Sequence, residues 1–178
     1  MSIDRLIETW KEVRAGFVAE VSQIPEDKFS FRATPDTRTV AELIRHVVEV
    51  QKMLVGECAR PDGDLTRQSF ADHLNEHASD IASVTDKNGL LELLRGSMET
   101  AEASMRSASS QLDAPMRRFD GKERTRQDIL NFAIAHEMYH RGQFTVYARL
   151  LNIEPALTQY FNKLMANANQ SKAVQNAS

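Results

Sequence analysis

The sequence predicts an all-α fold, a four-helix bundle carrying one short extra helix between its second and third long helices. Apolar residues recur at steps of three and four in four separate stretches, the period of a helix with one buried face. Two of those stretches open on threonine capping sequences, and prolines follow the ends of others. No stretch reads as a confident core strand. At 178 residues the chain fits one domain, burying roughly two-thirds of the surface that its unfolded form exposes. Residues 1–165 are assigned to the bundle, and 166–178, rich in Asn, Gln, Ser and Ala, to a disordered tail.

Helix one starts after Ser2, a capping residue, and carries Ile3, Leu6, Ile7, Trp10, Val13, Phe17, Val21 and Ile24 before Pro25 ends it. Residues 29–38, with Pro35 and Asp36, form a loop across the end of the domain. Thr39-Val40-Ala41-Glu42 is a capping box that opens helix two, whose stripe runs Val40, Leu43, Val47, Val50 and Leu54. This helix is expected to fray between Gly56 and Pro61. Within the excursion 60–86, Phe70, Leu74, His77 and Ile81 define the short extra helix. Leu91, Leu94, Met98, Ala101, Met105, Ala108 and Leu112 form the seam of helix three, which ends before Pro115. Asp120-Gly121 marks a turn, flanked by either a short β-hairpin or an irregular loop. Helix four opens at Thr125 and carries Ile129, Ala133, His136, His140, Tyr147 and Leu151 on one arc. After Pro155 a short turn of helix is expected between Thr158 and Met165.

The formal net charge of -3, with no basic stripe, argues against nucleic-acid binding. Cys58 is the single cysteine, so no disulfide framework exists, and a small packed helix residue is its expected role. The N-terminus lacks the basic start and apolar run of a signal peptide, and no stretch is apolar enough to span a bilayer. These features lead to the expectation of a soluble cytoplasmic protein.

The chemistry lies in the histidines. His136 and His140 are four residues apart, one turn apart on one helical face, where both can reach a single ion. His46 becomes a third ligand if helices two and four pack together, leaving open positions for water or substrate. The alternative for His46 alone is a core histidine bonded to a neighbour. Two adjacent buried imidazoles also need partners, since an unsatisfied buried polar group costs about 1–3 kcal/mol. His73 and His77 repeat the spacing in a segment expected to be exposed, where they read as solvated, or as part of a cover over the mouth of the site. His136-Glu137-x-x-His140 matches the metalloprotease pattern literally, but Gln143 and Val146 stand where its longer form continues with glycine and histidine.

Pro35 through His46, Pro-Asp-Thr-Arg-Thr-Val-Ala-Glu-Leu-Ile-Arg-His, and His136 through Gln143, His-Glu-Met-Tyr-His-Arg-Gly-Gln, together resemble the DinB/YfiT-like family over about residues 1–155. That resemblance implies a four-helix bundle, often a homodimer, holding a divalent metal on His46, His136 and His140. It also implies chemistry of the kind found in the wider superfamily, which includes thiol-dependent S-transferases and a thiol-dependent maleylpyruvate isomerase. The expected reaction is therefore transfer of a low-molecular-weight thiol to a small electrophile. A metal-dependent hydrolase and a non-catalytic, metal-stabilised bundle are the alternatives. Zinc or nickel suits three imidazoles, as do iron and copper. Gln143, ~20° from His136 around the helix, is placed to orient a ligand or bond a histidine. Glu137, ~100° away, reads as a bundle salt bridge or a site residue, and Tyr139 as pocket lining or packing.

Overall fold

The computed structural model describes residues 2–176. Its four long helices are α1 (Ile3–Gln23), α2 (Val40–Ala59), α4 (Lys87–Ser107) and α5 (Arg126–Leu150). The short α3 (Phe70–Ala78) precedes α4, a hairpin of β1 (Pro115–Arg117) and β2 (Glu123–Thr125) precedes α5, and α6 (Ala156–Asn176) follows it. α1 and α2 each pack against both α4 and α5, so consecutive helices α1 and α2 lie across the diagonal. The connection between them therefore crosses the end of the bundle. α2 and α5, the two histidine-bearing helices, are neighbours.

The predicted caps are in place. The Ser2 hydroxyl accepts the Arg5 N–H at 3.3 Å, and both Thr39/Glu42 and Thr125/Asp128 form reciprocal capping boxes. The 115–125 segment is the hairpin rather than an irregular loop, with Pro115 opposite Thr125 and Gly121 at φ +77° in the turn. α2 runs through Gly56 without fraying, to Ala59. A Cβ at Gly56 would lie 2.4 Å from the His77 ring, so the glycine lets α3 close onto α2.

Two apolar clusters fill the bundle, one around Trp10, Met53 and Leu130 and one around Phe17, Ile44 and Phe144. A polar layer joins Arg14 of α1, Gln51 of α2, Ser97 of α4 and Glu137 of α5, all buried. Arg14 donates to Glu137 Oε1 at 2.5 Å and Oε2 at 2.9 Å, to Gln51 Oε1 at 2.8 Å and to Ser97 Oγ at 2.9 Å. Trp10 Nε1 donates to Glu137 Oε2 at 2.7 Å. An ion pair taken out of water costs several kcal/mol per charge unless hydrogen bonds replace its hydration, and here they do.

α3 corrects the expectation that His73 and His77 are solvated. His73 is fully buried, with Nδ1 2.9 Å from Glu57 Oε1 and Nε2 3.0 Å from the Leu65 carbonyl oxygen. His77 Nε2 lies 2.7 Å from the same carboxylate oxygen, and Arg67 donates to it at 2.5 Å. Glu57 has no exposure, and a buried carboxylate demands such partners. Its demand turns the polar face of α3 inward.

α6 is longer than the single turn expected at Thr158–Met165. Its start is tied down by Glu20, whose carboxylate accepts the Ala156 and Leu157 N–H groups at 2.8 and 3.1 Å. The backbone then continues as helix through Asn176, across most of the stretch expected to be a disordered tail. No Gly or Pro interrupts it, and Ala, Gln and Lys hold a helix with little apolar periodicity. Residues 177 and 178 lie outside the described residues.

Candidate metal centre

α2 and α5 bring His46, His136 and His140 together, as their spacing and packing predict. His46 Nε2 lies 3.2 Å from His136 Nε2, which lies 3.0 Å from His140 Nε2. The three donor atoms all fall within 4.8 Å of one another. Each Nε2 has one in-plane position, filled by a hydrogen or a lone pair. His136 Nε2 faces two other nitrogens, so one hydrogen or one lone pair cannot satisfy both contacts. A cation satisfies all three. Nitrogens bound at about 2.05 Å to a tetrahedral ion stand about 3.3 Å apart, within a few tenths of an ångström of the separations here.

The electrostatics favour the form that binds a metal. Burial, then the charge of Arg38 and the His140 ring, push His46 down to about 4. Burial, the two neighbouring imidazoles and Arg38 push His136 down to about 3. Burial also lowers His140, opposed by its bond to Gln143. All three rings are therefore neutral near pH 7, as ligation requires.

Among the three further candidates, Gln143 contacts the triad: its Oε1 lies 2.7 Å from His140 Nδ1. A carbonyl oxygen there makes Nδ1 the protonated nitrogen and leaves the Nε2 lone pair facing the other rings. Tyr139 is 66% exposed and its ring meets His140 edge-on, centroids 5.0 Å apart, so it flanks the site from solvent. Glu137 does not join the site, because its carboxylate is held in the core by Arg14 and Trp10. That placement removes the metalloprotease reading, which needs this glutamate beside the ion. His140 is buried and His136 half-buried, so the histidines sit at the α2 edge of α5's inward face rather than along its centre. Phe144, absent from the predicted arc, is fully buried at that centre.

A polar cavity of about 270 Å³ opens beside His46, lined by Arg38, Glu42, Arg45, Glu49, Phe70 and Leu74. Phe70 and Leu74 come from α3, which thus flanks the site, while His73 and His77 turn away from it onto Glu57. Burial raises the Glu49 carboxyl, partly offset by Arg45 and Arg38. The Tyr147 hydroxyl donates to the Arg38 carbonyl at 2.7 Å and pins the loop that carries Arg38. A second, apolar cavity of about 360 Å³ lies between Leu54, Leu65, Phe119, Ile129 and Phe132. Phe132 links it to the triad, its ring centroid 6.3 Å from that of His136. A further cavity of about 490 Å³ between α2 and α4 does not include the triad. Cys58 is buried, and burial pushes its thiol up to about 12, far from a nucleophile's range.

The fold and site define a helical bundle with a three-histidine cluster between two of its helices. Residues 9–144 match the model of the DinB superfamily, and the chain belongs to that superfamily. Solved structures share the fold. The DinB-like protein YjoA of Bacillus subtilis superposes with a TM-score of 0.63 at 19% identity, covering 83% of this chain and 92% of its own. YfiT from Bacillus subtilis, described as a probable metal-dependent hydrolase with an unusual four-helix bundle topology, gives 0.66 at 16%, covering 85% and 89%. A mycothiol-dependent maleylpyruvate isomerase gives 0.63 at 13%, covering 79% of this chain and 60% of its own. No curated protein matches the sequence.

The sequence reading missed Arg38 and Glu49. Glu49 carried a usable signal: three residues beyond His46, it falls on the same side of the helix. Arg38 lies in the Pro35–His46 segment but in its loop, where no helical period places it; Tyr147 holds its carbonyl.

Proposed function

We propose that this chain is a divalent-metal-dependent enzyme whose ion is held by His46, His136 and His140, and that it transfers a low-molecular-weight thiol to small electrophiles. The observation that carries the reading is a cluster of exactly three converging imidazole nitrogens, with no carboxylate or thiol joining them among the described residues. Such a ligand set leaves a position open, whereas a purely structural ion is usually enclosed by four protein ligands. A bound ion supplies a Lewis acid that lowers the pKa of a thiol or water in the open position. His46, His136 and His140 bind as neutral donors, so the centre stays cationic and favours an anionic nucleophile. Gln143 fixes the His140 ring and its tautomer. Phe70 and Leu74 on one side and Phe132 on the other present apolar surface beside the triad.

Zinc or nickel fits three imidazoles best in this reading, with iron and copper next. A metal-dependent hydrolase using the same three ligands is the second reading, favoured by the description of YfiT. The chain is further proposed to act in the cytoplasm as a homodimer; among the described residues no helix is long and apolar enough to cross a membrane. Support for pairing comes from α5 and α6, where Val146, Leu150, Leu157, Tyr160, Phe161 and Met165 are 41–61% exposed.

Elemental analysis of purified protein should give one divalent ion per chain. Thiols of the glutathione, bacillithiol and mycothiol types, screened against electrophiles, should show turnover that chelation removes. Turnover of ester or amide substrates without a thiol would select the hydrolase. A tightly bound ion with no turnover in either screen would select the structural role.

A further inference from the structure

The cavity beside His46 contains four charged side chains, and two are already committed. Glu42 accepts the Thr39 N–H at 2.7 Å in the capping box and lies 3.6 Å from Arg32. Arg45 donates to the Val84 carbonyl at 2.8 Å. Arg38 and Glu49 have no side-chain hydrogen bond or ion pair among the described residues. Glu49 is partly buried one turn along α2 from His46, while the Arg38 side chain is exposed and its backbone carbonyl is held by Tyr147. The charges of Arg45 and then Arg38 act on Glu49, and the charge of Arg38 reaches all three imidazoles.

A partly desolvated carboxylate without a partner is unfavourable, and a guanidinium without one offers a planar fork to an anion. A simple anion would pair with Arg38 and be repelled by Glu49. A simple cation would meet the reverse. A ligand carrying both charges satisfies both groups. The cavity volume, about 270 Å³, lies at or below the lower end of ordinary ligand pockets and suits a molecule of amino-acid size. Phe70 and Leu74 supply an apolar wall for its carbon skeleton.

We propose that this cavity binds a small zwitterion, an amino acid or amino-acid-like molecule, with its carboxylate on Arg38, its ammonium on Glu49 and its side group directed at His46. This deepens the proposed function and rests on it only for what the side group meets.

Calorimetric titration of the zinc-loaded chain with L-cysteine, cysteamine and 3-mercaptopropionate tests it. The last two keep the thiol and lack, respectively, the carboxylate and the ammonium. L-Cysteine should bind at least about tenfold more tightly than either. Arg38→Gln should erase its advantage over cysteamine alone, and Glu49→Gln its advantage over 3-mercaptopropionate alone. Equal affinity for the three thiols in the wild type, or variants that weaken all three alike, would overturn the proposal. The wild-type comparison decides even where a variant folds poorly. S-Methyl-L-cysteine against 2-(methylthio)ethylamine on the chelator-treated chain separates the two readings. Preference for the amino acid there, in a protein that takes up no metal, supports the zwitterion site and rejects the metal. A full complement of metal with no preference in either series rejects the zwitterion site and leaves the metal.

Discussion

Glu137→Gln separates the two roles that the His-Glu-x-x-His sequence offers. In a metalloprotease-like site this change removes a general base and leaves stability largely intact. Here the carboxylate is 1% exposed and accepts from Trp10 and twice from Arg14. Glutamine keeps the volume, so the helix stays in place, but it strips the buried Arg14 of its counter-charge. Breaking one side of a buried pair costs about 3–5 kcal/mol. With an unfolding entropy of about 2.1 cal/mol/K per residue over the 178 residues, that lowers Tm by about 8–13 °C. Thermal and urea denaturation should show this loss, while elemental analysis of the folded variant still finds one ion per chain. In a double-mutant cycle, adding Arg14→Met to Glu137→Gln should cost far less than Arg14→Met alone, because the stranded charge is then gone. A variant with wild-type Tm and no metal-dependent turnover would refute the core placement of Glu137.

His46→Ala, His136→Ala and His140→Ala should each abolish tight metal binding, and Gln143→Ala should weaken it by about 10–100-fold in competition with a chelator; retention of metal by any histidine variant removes that ligand. His73→Ala should leave the ion stoichiometry unchanged but destabilise the fold by about 1–3 kcal/mol in urea titration, since Glu57 and the Leu65 carbonyl lose a buried partner; loss of metal would make His73 a ligand. For chelator-treated protein, the unfolded histidines keep the ordinary imidazole value of 6.5, while burial and neighbouring charges push folded His46 down to about 4 and His136 down to about 3. The unfolded chain then binds more protons between those values, so their contribution is complete above pH 6.5 and declines as the pH falls towards 4 and 3. Urea midpoints measured from pH 7.5 to 4.5 should drop more steeply in wild type than in His46→Gln/His136→Gln, and parallel curves would contradict it. Cys58 should resist a thiol reagent until the chain unfolds, and Cys58→Ser should keep turnover; rapid labelling of the native chain would place the thiol outside the core.

What the sequence made legible was periodic. The capping box at Thr39 sets the start of α2 and hence the face on which His46 falls, and a four-residue spacing sets His136 against His140. Partners on different helices have no period. Glu137 reads as a bundle salt bridge or a site residue with no legible partner, Arg14 and Gln51 carry no signal on their own helices, and only the diagonal arrangement of α1 and α2 brings the three into one layer. The same holds for Glu57, whose principal partners lie on α3 and in the turn before it. Because no pattern in 70–81 announces a buried carboxylate opposite, His73 and His77 look solvated. The start of α6 is equally hidden, because Ala156 and Leu157 are held by Glu20, on α1 more than a hundred residues upstream.

The polar layer and the triad are coupled through the roll of α5 about its axis. Glu137 directly follows His136, so the direction that aims its carboxylate at Arg14 also aims the two histidines sideways at α2, ~100° round for His136. Side-chain atoms stand about 5–6 Å from a helix axis, so a 20° roll would displace them by about 2 Å. That is a whole metal–nitrogen bond length, about 2.0–2.1 Å. Apolar contacts alone slide at little cost, because they lack direction. Three hydrogen bonds from Trp10 and Arg14 of α1 to Glu137, with Arg14 tied in turn to Gln51 of α2 and Ser97 of α4, have direction. The rotation of α5 that aims Glu137 at Arg14 is thus the same rotation at which His136 and His140 meet His46.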